Sequence, residues 1–479
     1  MLIIGAGFGG ICMAAKAIRE GLNTLVLERA DEVGGTWRDN TYPGCACDTQ
    51  SHHYSLSFAT NADWSRRYAS QPEILDYLKK TAGKLGVTPQ IRFGERVTVL
   101  TFDEEKHFWT VKTEAGQTYQ ARNVVSAVGQ LNQPKIPDIP GLKDFSGPVM
   151  HSAQWDHGYD FAGKSIAVIG SGASAIQLIP PLAEQASHMT VFQRSPHWII
   201  GKNNLPFKPW QKFLFRYVPF LKSIYRAKIY WGWERSWPEF LKNSKQGAKQ
   251  TAAITAELKR KIADPDLAKK LIPKDPLGCK RILLSDDYLP ALQQDHVDLV
   301  TDGVERIEKD AIITTAGDRI PVDCIVMATG FKAHDFLPGI TVTGRCACNL
   351  HQQWREAGGA EAYMGITAPF FPNLFFLYGP NTNLGHNSIV FMLECQSDYV
   401  MEALSQVKKK GATSIEVKKT AKERFYTTLN YELWKTVWDG GCTSWYKTDE
   451  GKIVNNWSTD TFTYWWRTRD IEEKDYLFD

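Results

Sequence analysis

The chain has 479 residues, room for roughly two to four domains, and its 43% hydrophobic and 23% charged content is ordinary for a globular protein. A net charge of +3 is too small to imply a nucleic-acid partner, and no run of about 18 uncharged apolar residues is present to span a membrane. The nine cysteines form two CxC pairs, Cys45/Cys47 and Cys346/Cys348, but no CxxC and no framework spacing. They are expected to be reduced cytoplasmic thiols, and the missing CxxC argues against a disulfide reductase. The 16 tryptophans suit wide apolar pockets.

"LIIGAGFGGICMAAKAIREGLNTLVLER" opens the chain so abruptly that a few further residues are expected ahead of it. An apolar strand leads into Gly5-x-Gly7-x-x-Gly10, then a helix of small and apolar residues, then a second strand ending at Glu28. The first glycine permits the tight turn. The second lets a pyrophosphate approach the backbone, and the third lets helix pack on strand. The helix N-terminus offers N–H groups to the phosphates, and Glu28 stands where a carboxylate holds a ribose hydroxyl.

The unit recurs in "KSIAVIGSGASAIQLIPPLAEQASHMTVFQRS", with Gly170, Gly172 and Ala175 at the three turn positions. Its second strand ends in Gln193-Arg194-Ser195 rather than an acid. A carboxylate there would repel a 2′-phosphate, whereas Arg194 pairs with one, so the second turn is expected to take NADPH. The competing reading of Arg194 is a solvated surface arginine. Two further strand ends, "NVVSAVGQ" and "DCIVMATGF", each run from apolar residues into glycine, as expected where chain crosses between two nucleotide domains.

Residues 201–277 break this α/β rhythm. "KPWQKFLFRYVPFLKSIYRAKIYWGWERSWPEF" is aromatic, basic and predicted helical in two pieces around Pro219, and the next helices break at Pro265. A packing face is the favoured reading of its aromatic stripe, and contact with a membrane surface is the rival. The C-terminal "GGCTSWYKTDEGKIVNNWSTDTFTYWWRTR" is expected to close the substrate side of the first nucleotide domain.

Two longer patterns now carry weight. Phe145, Gly147, His151, Trp155 and Asp156 fill F-x-G-x-x-x-H-x-x-x-W followed by P or D, and Gly34, Gly35, Trp37, Tyr42, Pro43, Gly44 and Asp48 fill G-G-x-W-x-x-x-x-Y-P-G-x-x-x-D. With both glycine turns, Lys280-Arg281 and "ATGF" in order, the sequence resembles the class B flavin-dependent monooxygenases, specifically the Baeyer–Villiger monooxygenases, over nearly its whole length. The resemblance implies an α/β fold of two Rossmann-like domains, the NADP domain inserted in the FAD domain. The FAD domain is expected at 1–140 and 326–479, the NADP domain at 141–200 and 278–325, and a helical subdomain at 201–277.

By the same resemblance the enzyme binds FAD without a covalent bond, prefers NADPH, and inserts one atom of O2 beside a ketone carbonyl through a C4a-peroxyflavin, giving an ester or lactone. Arg281 matches the catalytic arginine and Asp48 the carboxylate that holds it; alone, the pair would read as a structural ion pair and a turn carboxylate. Lys280 would meet the 2′-phosphate beside Arg194. Gly35, Thr36, Trp37, Tyr54 and Asn381 are further cofactor-binding candidates, with Asn383 and His386 near the site. The helix after "GPNTNLGHNS" would aim its N-terminus at the flavin. The fingerprint lies on the interdomain connection, and if that piece is helical, His151 and Trp155 share a face. An N- or S-oxygenating flavoenzyme is the nearest rival, with a sulfide in place of the ketone. A nucleotide-binding protein without turnover is the next, opposed by intact Arg281 and Asp48. No metal ligands are read.

Overall fold

The computed structural model describes residues 1–479. Two five-stranded parallel sheets dominate it, and each is built around a glycine turn. The first runs Leu374–Phe376, Val124–Ser126, Leu2–Ile4, Leu25–Leu27, Ile91–Arg92. The second runs Val297–Val300, His188–Phe192, Ser165–Ile169, Cys324–Met327, Val149–His151. In both, the strand before the glycine turn is the central one. Its side chains are buried on both faces, which is why these stretches read as apolar runs without alternation. A four-stranded sheet (Val97–Asp103, Phe108–Thr113, Thr118–Ala121, with Thr341–Thr343 at its edge) branches from the first domain.

The two glycine turns are held by equivalent neighbours. Gly5 has φ +102°, and a Cβ there would lie 2.6 Å from the Ala127 carbonyl oxygen. Gly170 has φ +118°, and a Cβ there would lie 2.4 Å from that of Ala328. Ala127 and Ala328 close the two "crossing" strand ends read from the sequence. Beyond them the two crossings pair with each other. Pro134 and Phe331 form an antiparallel bridge, Lys135 N–H donates to the Gly330 carbonyl and Lys332 N–H to the Gln133 carbonyl, each at 2.9 Å.

Residues 201–277 fold as helices Pro209–Tyr217, Pro219–Glu234, Lys245–Lys261 and Pro265–Leu271. Pro219 and Pro265 each occupy a first helical position, where the missing N–H has no partner to lose. The long helix Ile389–Lys409 packs on Phe8–Arg19, so closely that a Cβ at Gly9 would touch Leu393 at 3.3 Å.

Two expectations are corrected here. The fingerprint is not helical: Val149–His151 is the edge strand of the second sheet, followed by a turn closed by a His151–Gln154 bridge. His151 and Trp155 therefore share no helical face. The cysteines are not all free thiols either. Cys279 and Cys442, 163 residues apart, form a disulfide with Cα atoms 6.4 Å apart, and the other seven are free.

Candidate functional site

Both glycine turns open on one cavity of about 1130 Å3, whose walls include Gly7, Gly172, Asp48, Arg194, Lys280 and Arg281. Thr443, Ser444 and Trp445 of the C-terminal segment also line it.

On the first-domain wall, Gly10 lies against the preceding strand so tightly that a Cβ would fall 1.9 Å from the Gly5 carbonyl oxygen. Gly7 is open except toward Gly35, 3.7 Å from where its Cβ would stand. Glu28 is buried and already oriented. Its Oε2 accepts from Ala6 N–H at 2.7 Å and its Oε1 from Ala30 N–H at 3.0 Å. Gly35 (φ +53°) starts a single helical turn through Thr36, placing Trp37 so that its indole N–H donates to the Tyr54 hydroxyl at 3.1 Å. Thr36, Trp37 and Tyr54 all face the cavity.

On the second-domain wall, nothing lies within 4 Å of a Cβ at Gly172, and Ala175 is fully buried at the helix start. Arg194 is exposed at the rim with no protein ion pair or hydrogen-bond partner. Lys280 is largely buried, paired with Asp275 at 2.5 Å and donating to the Ser195 hydroxyl at 3.0 Å.

Arg281 and Asp48 meet between the walls. Nη2 and Nε both donate to Asp48 Oδ2, at 2.6 and 3.0 Å, with side chains 32% and 22% exposed. Burial pushes the Asp48 carboxyl up, but the Arg281 charge and its hydrogen bonds overcome this and hold it below its ordinary value. Asp48 in turn raises the Arg281 pKa, so the pair is ionised throughout. Burial pushes the nearby Tyr446 phenol up to about 12 and raises Tyr378 as well, keeping both neutral beside the cation. The Tyr446 hydroxyl is buried with no protein partner.

The loop carrying Asp48 is fastened to the second domain by Gln177. Its Oε1 accepts from the Tyr42 hydroxyl at 2.9 Å and from Ala46 N–H at 3.2 Å, and its Nε2 donates to the Ala46 carbonyl at 3.0 Å. Gly44 (φ +80°) makes the approach possible, since a Cβ there would fall 2.2 Å from the Gln177 carbonyl oxygen. The Arg281 segment is fastened from the other side by the Cys279–Cys442 disulfide and by Trp438, whose indole donates to the Gly278 carbonyl at 3.1 Å. Sequence reasoning missed Gln177, Tyr378, Tyr446 and this disulfide. Only Gln177 carried a signal, as the one polar residue in "AIQLIPPLA".

None of the fingerprint residues lines the cavity; His151 meets it through Gly330 and Phe331, which do. Gly147 is required because a Cβ would fall 2.1 Å from the Asp323 carbonyl oxygen and 2.8 Å from the Phe145 ring. Trp155 stacks on Phe161, and Asp156 is an exposed turn residue accepting from Gly158 N–H at 2.8 Å. His151 Nδ1 accepts from Ala153 N–H at 3.1 Å, so Nε2 carries the proton and donates to the Gly330 carbonyl at 3.0 Å. Burial lowers its pKa and favours this neutral tautomer.

Two candidates are displaced. Asn381 does not face the cavity. Its amide nitrogen donates to the Ile453 and Asn456 carbonyls and its oxygen accepts from Tyr426, so it is spent on holding the C-terminal segment. His386 is buried among Trp237, Phe240 and Glu234, behind the cavity wall. Asn383 and Asn387 line the cavity instead, next to the N-terminus of helix Ile389–Lys409.

Comparison with known proteins agrees with this architecture. A family model described as pyridine nucleotide-disulphide oxidoreductase matches residues 2–218. A Baeyer-Villiger monooxygenase of Pseudomonas aeruginosa is 39% identical over 485 residues, 99% of this chain and 90% of its own length. One from Streptomyces coelicolor is 39% identical over 99% of this chain and 91% of its own. Among solved structures, OTEMO in complex with FAD and NADP superposes with a TM-score of 0.90 at 28% identity, covering 100% of this chain and 99% of that one. An oxidised steroid monooxygenase bound to NADP gives 0.88 at 29%, covering 100% and 98%.

Proposed function

Because this chain belongs to the Baeyer–Villiger monooxygenases, FAD-containing and NADPH-dependent flavoproteins, we propose that its central cavity oxidises a ketone to an ester or lactone, with Arg281 and Asp48 as the catalytic pair. The observation that carries the assignment is the Arg281–Asp48 pair standing on the wall of the cavity shared by both glycine turns.

The residues present fit both cofactors. Gly7 and Gly172 leave open backbone where a side chain would block a phosphate, and Arg194 is a rim cation without a partner. FAD, when bound, supplies the hydride acceptor and the ring that activates oxygen. The turn Gly5–Gly10 and the helix behind it would hold its pyrophosphate, with Glu28 presented to a ribose hydroxyl by the Ala6 and Ala30 amides. Gly170, Gly172 and Ala175 would hold the NADPH pyrophosphate, and Arg194 and Lys280 its 2′-phosphate.

Arg281 uses two of its five N–H donors on one oxygen of Asp48. The others have no protein partner, and the side chain faces the cavity. They are available to negative charge developing on oxygen as the carbonyl is attacked. Asp48 fixes the guanidinium plane. Neutral Tyr378 and Tyr446 fill the space beside it without adding charge that would compete for the arginine.

A ketone is the substrate class, in line with the cyclohexanone monooxygenase among the similar structures. No helix is long and apolar enough to cross a membrane. We place turnover in the cytoplasm, on the strength of the seven free thiols. There the Cys279–Cys442 pair would be exposed to reduction.

The test is a panel of ketones and sulfides followed by NADPH oxidation and product mass. An ester or lactone, one per NADPH, is the expected product. Sulfoxide formation with no ester from any ketone would overturn the assignment in favour of S-oxygenation.

A further inference from the structure

The helical subdomain presents a face that the cavity does not use. Between Gly201 and Trp233 the chain carries seven lysines and arginines and no aspartate or glutamate. Within that stretch Trp210, Phe213 and Tyr217 lie on one side of helix Pro209–Tyr217, three and four residues apart. Phe220, Ile224 and Trp231 lie on one side of helix Pro219–Glu234, at spacings of four and seven. All six are between 47% and 68% exposed. Trp231 meets the exposed Phe462 ring at 6.2 Å, which extends the patch onto the C-terminal helix Thr461–Arg467.

These helices cannot bury the patch by turning over, because their opposite sides are already engaged. Phe215 and Tyr225 pack on His52 with ring centroids 4.5 and 5.3 Å apart, and Ile229 is buried. Arg226 donates to the carbonyls of His52 and Ser55 at 2.6 and 2.8 Å. The packing face of this subdomain is thus accounted for, and the aromatic stripe lies outside it. Exposed aromatic stripes on two helices packed against each other mark an interaction site.

The charge pattern says which. Lys208, Arg216 and Lys228 are exposed among the aromatics, and the only acidic partner nearby is Asp63, which pairs with Arg216 at 2.6 Å. A second copy of the chain docked face to face would oppose one basic surface with another. Large aromatics on one helix face interleaved with lysine and arginine is the composition of a helix lying in a bilayer interface, with rings at headgroup depth and cations toward anionic phosphates. With no spanning helix, the contact would be peripheral.

We propose that the outer face of helices Pro209–Tyr217 and Pro219–Glu234 docks the enzyme on an anionic lipid surface. The assignment does not rest on the reaction catalysed.

The test is co-sedimentation of the full-length, FAD-loaded protein with phosphatidylglycerol/phosphatidylcholine vesicles and with phosphatidylcholine alone. Pelleting with the anionic vesicles only, weakening as salt rises, is the expected result. The triple variant Trp210→Ser, Phe213→Ser, Phe220→Ser is expected to lower the partition coefficient roughly tenfold or more. Lys208→Gln with Lys228→Gln is expected to cost roughly fivefold per lysine. Both variants should keep flavin absorbance and NADPH turnover with a water-soluble ketone, which separates loss of docking from loss of fold. No pelleting, equal pelleting with both vesicles, or variants that pellet like the parent would overturn the proposal. So would a lipid-free dimer that the triple variant abolishes, which would make a second copy the occupant.

Discussion

Replacing Arg281 by alanine removes the cation that Asp48 holds on the cavity wall. Asp48 Oδ2 loses both its hydrogen bonds, at 2.6 and 3.0 Å, and Asp48 is left partly buried beside two neutral phenols. With its main depressing influence gone, its pKa is expected to rise. Loss of a preorganised donor to a developing oxyanion costs about 3–4 kcal/mol, a rate factor of roughly 100–1,000. Cofactor binding should survive, because the proposed FAD cradle of Gly5–Gly10, Glu28 and Trp37 shares no hydrogen bond or ion pair with Arg281. Arg281→Ala should therefore purify yellow and form little or no ester, releasing any consumed oxygen as hydrogen peroxide. Arg281→Lys restores charge without the planar fork that grips Asp48, and should recover little. Asp48→Ala should act in the same direction more weakly, since the cation remains but is no longer aimed. The assay pairs ester yield with peroxide release per NADPH. An Arg281→Ala enzyme that makes ester at the parent rate would refute the catalytic assignment, and Lys280 would be the next cation to examine.

Arg194→Ala should weaken NADPH by about 1.5–3 kcal/mol and leave NADH nearly unchanged, read from KM for the two cofactors. Equal use of both by the parent would contradict the role of Arg194. Gly44→Ala forces a Cβ to 2.2 Å from the Gln177 carbonyl and an unfavourable positive φ. It should lower the melting temperature and loosen the Asp48 loop by on the order of 1–3 kcal/mol, whereas Gly163→Ala, also at positive φ but in open space, should cost less. Thiol titration of the unfolded, unreduced protein should find seven reactive cysteines, rising to nine after reduction; nine at the outset would show the Cys279–Cys442 bond to be absent. Burial lowers His52 and His53 from 6.5 to about 4, so the folded state refuses protons that the unfolded chain accepts. Stability should be full above about pH 6.5 and fall as pH drops toward 4, by on the order of 3 kcal/mol per histidine, and a flat melting profile across that window would refute it.

What could be read from the sequence was mostly backbone stereochemistry. Gly5, Gly10, Gly44, Gly147 and Gly170 each sit where a Cβ would strike a carbonyl oxygen, and a residue without a side chain is a local signal that survives without knowledge of the fold. The end of a strand after a glycine turn is likewise fixed by short-range geometry, and Glu28 and Arg194 both line the cavity. The errors fell where partners are distant in sequence. Asn381 and Asn383 are two residues apart in one loop, and nothing local says that Asn381 is consumed by residues 453–456 while Asn383 reaches the cavity wall. Cys279 and Cys442 have no spacing to betray them. The helical reading of the fingerprint followed an i, i+4 spacing that the edge strand Val149–His151 overrides.

The paired crossings between the two sheets carry a mechanical consequence. Two separate tethers would let the inserted domain swing or slip on either one alone. Here the segments at 133–135 and 330–332 are joined by an antiparallel bridge and two backbone hydrogen bonds, and His151 fastens the same Gly330 carbonyl that receives the Lys135 amide. Neither tether has slack of its own: sliding one by a single residue would break the Lys135–Gly330 and Lys332–Gln133 bonds together. A displacement imposed on one crossing is therefore delivered to the other, and the edge strand ending at His151 is drawn along with them.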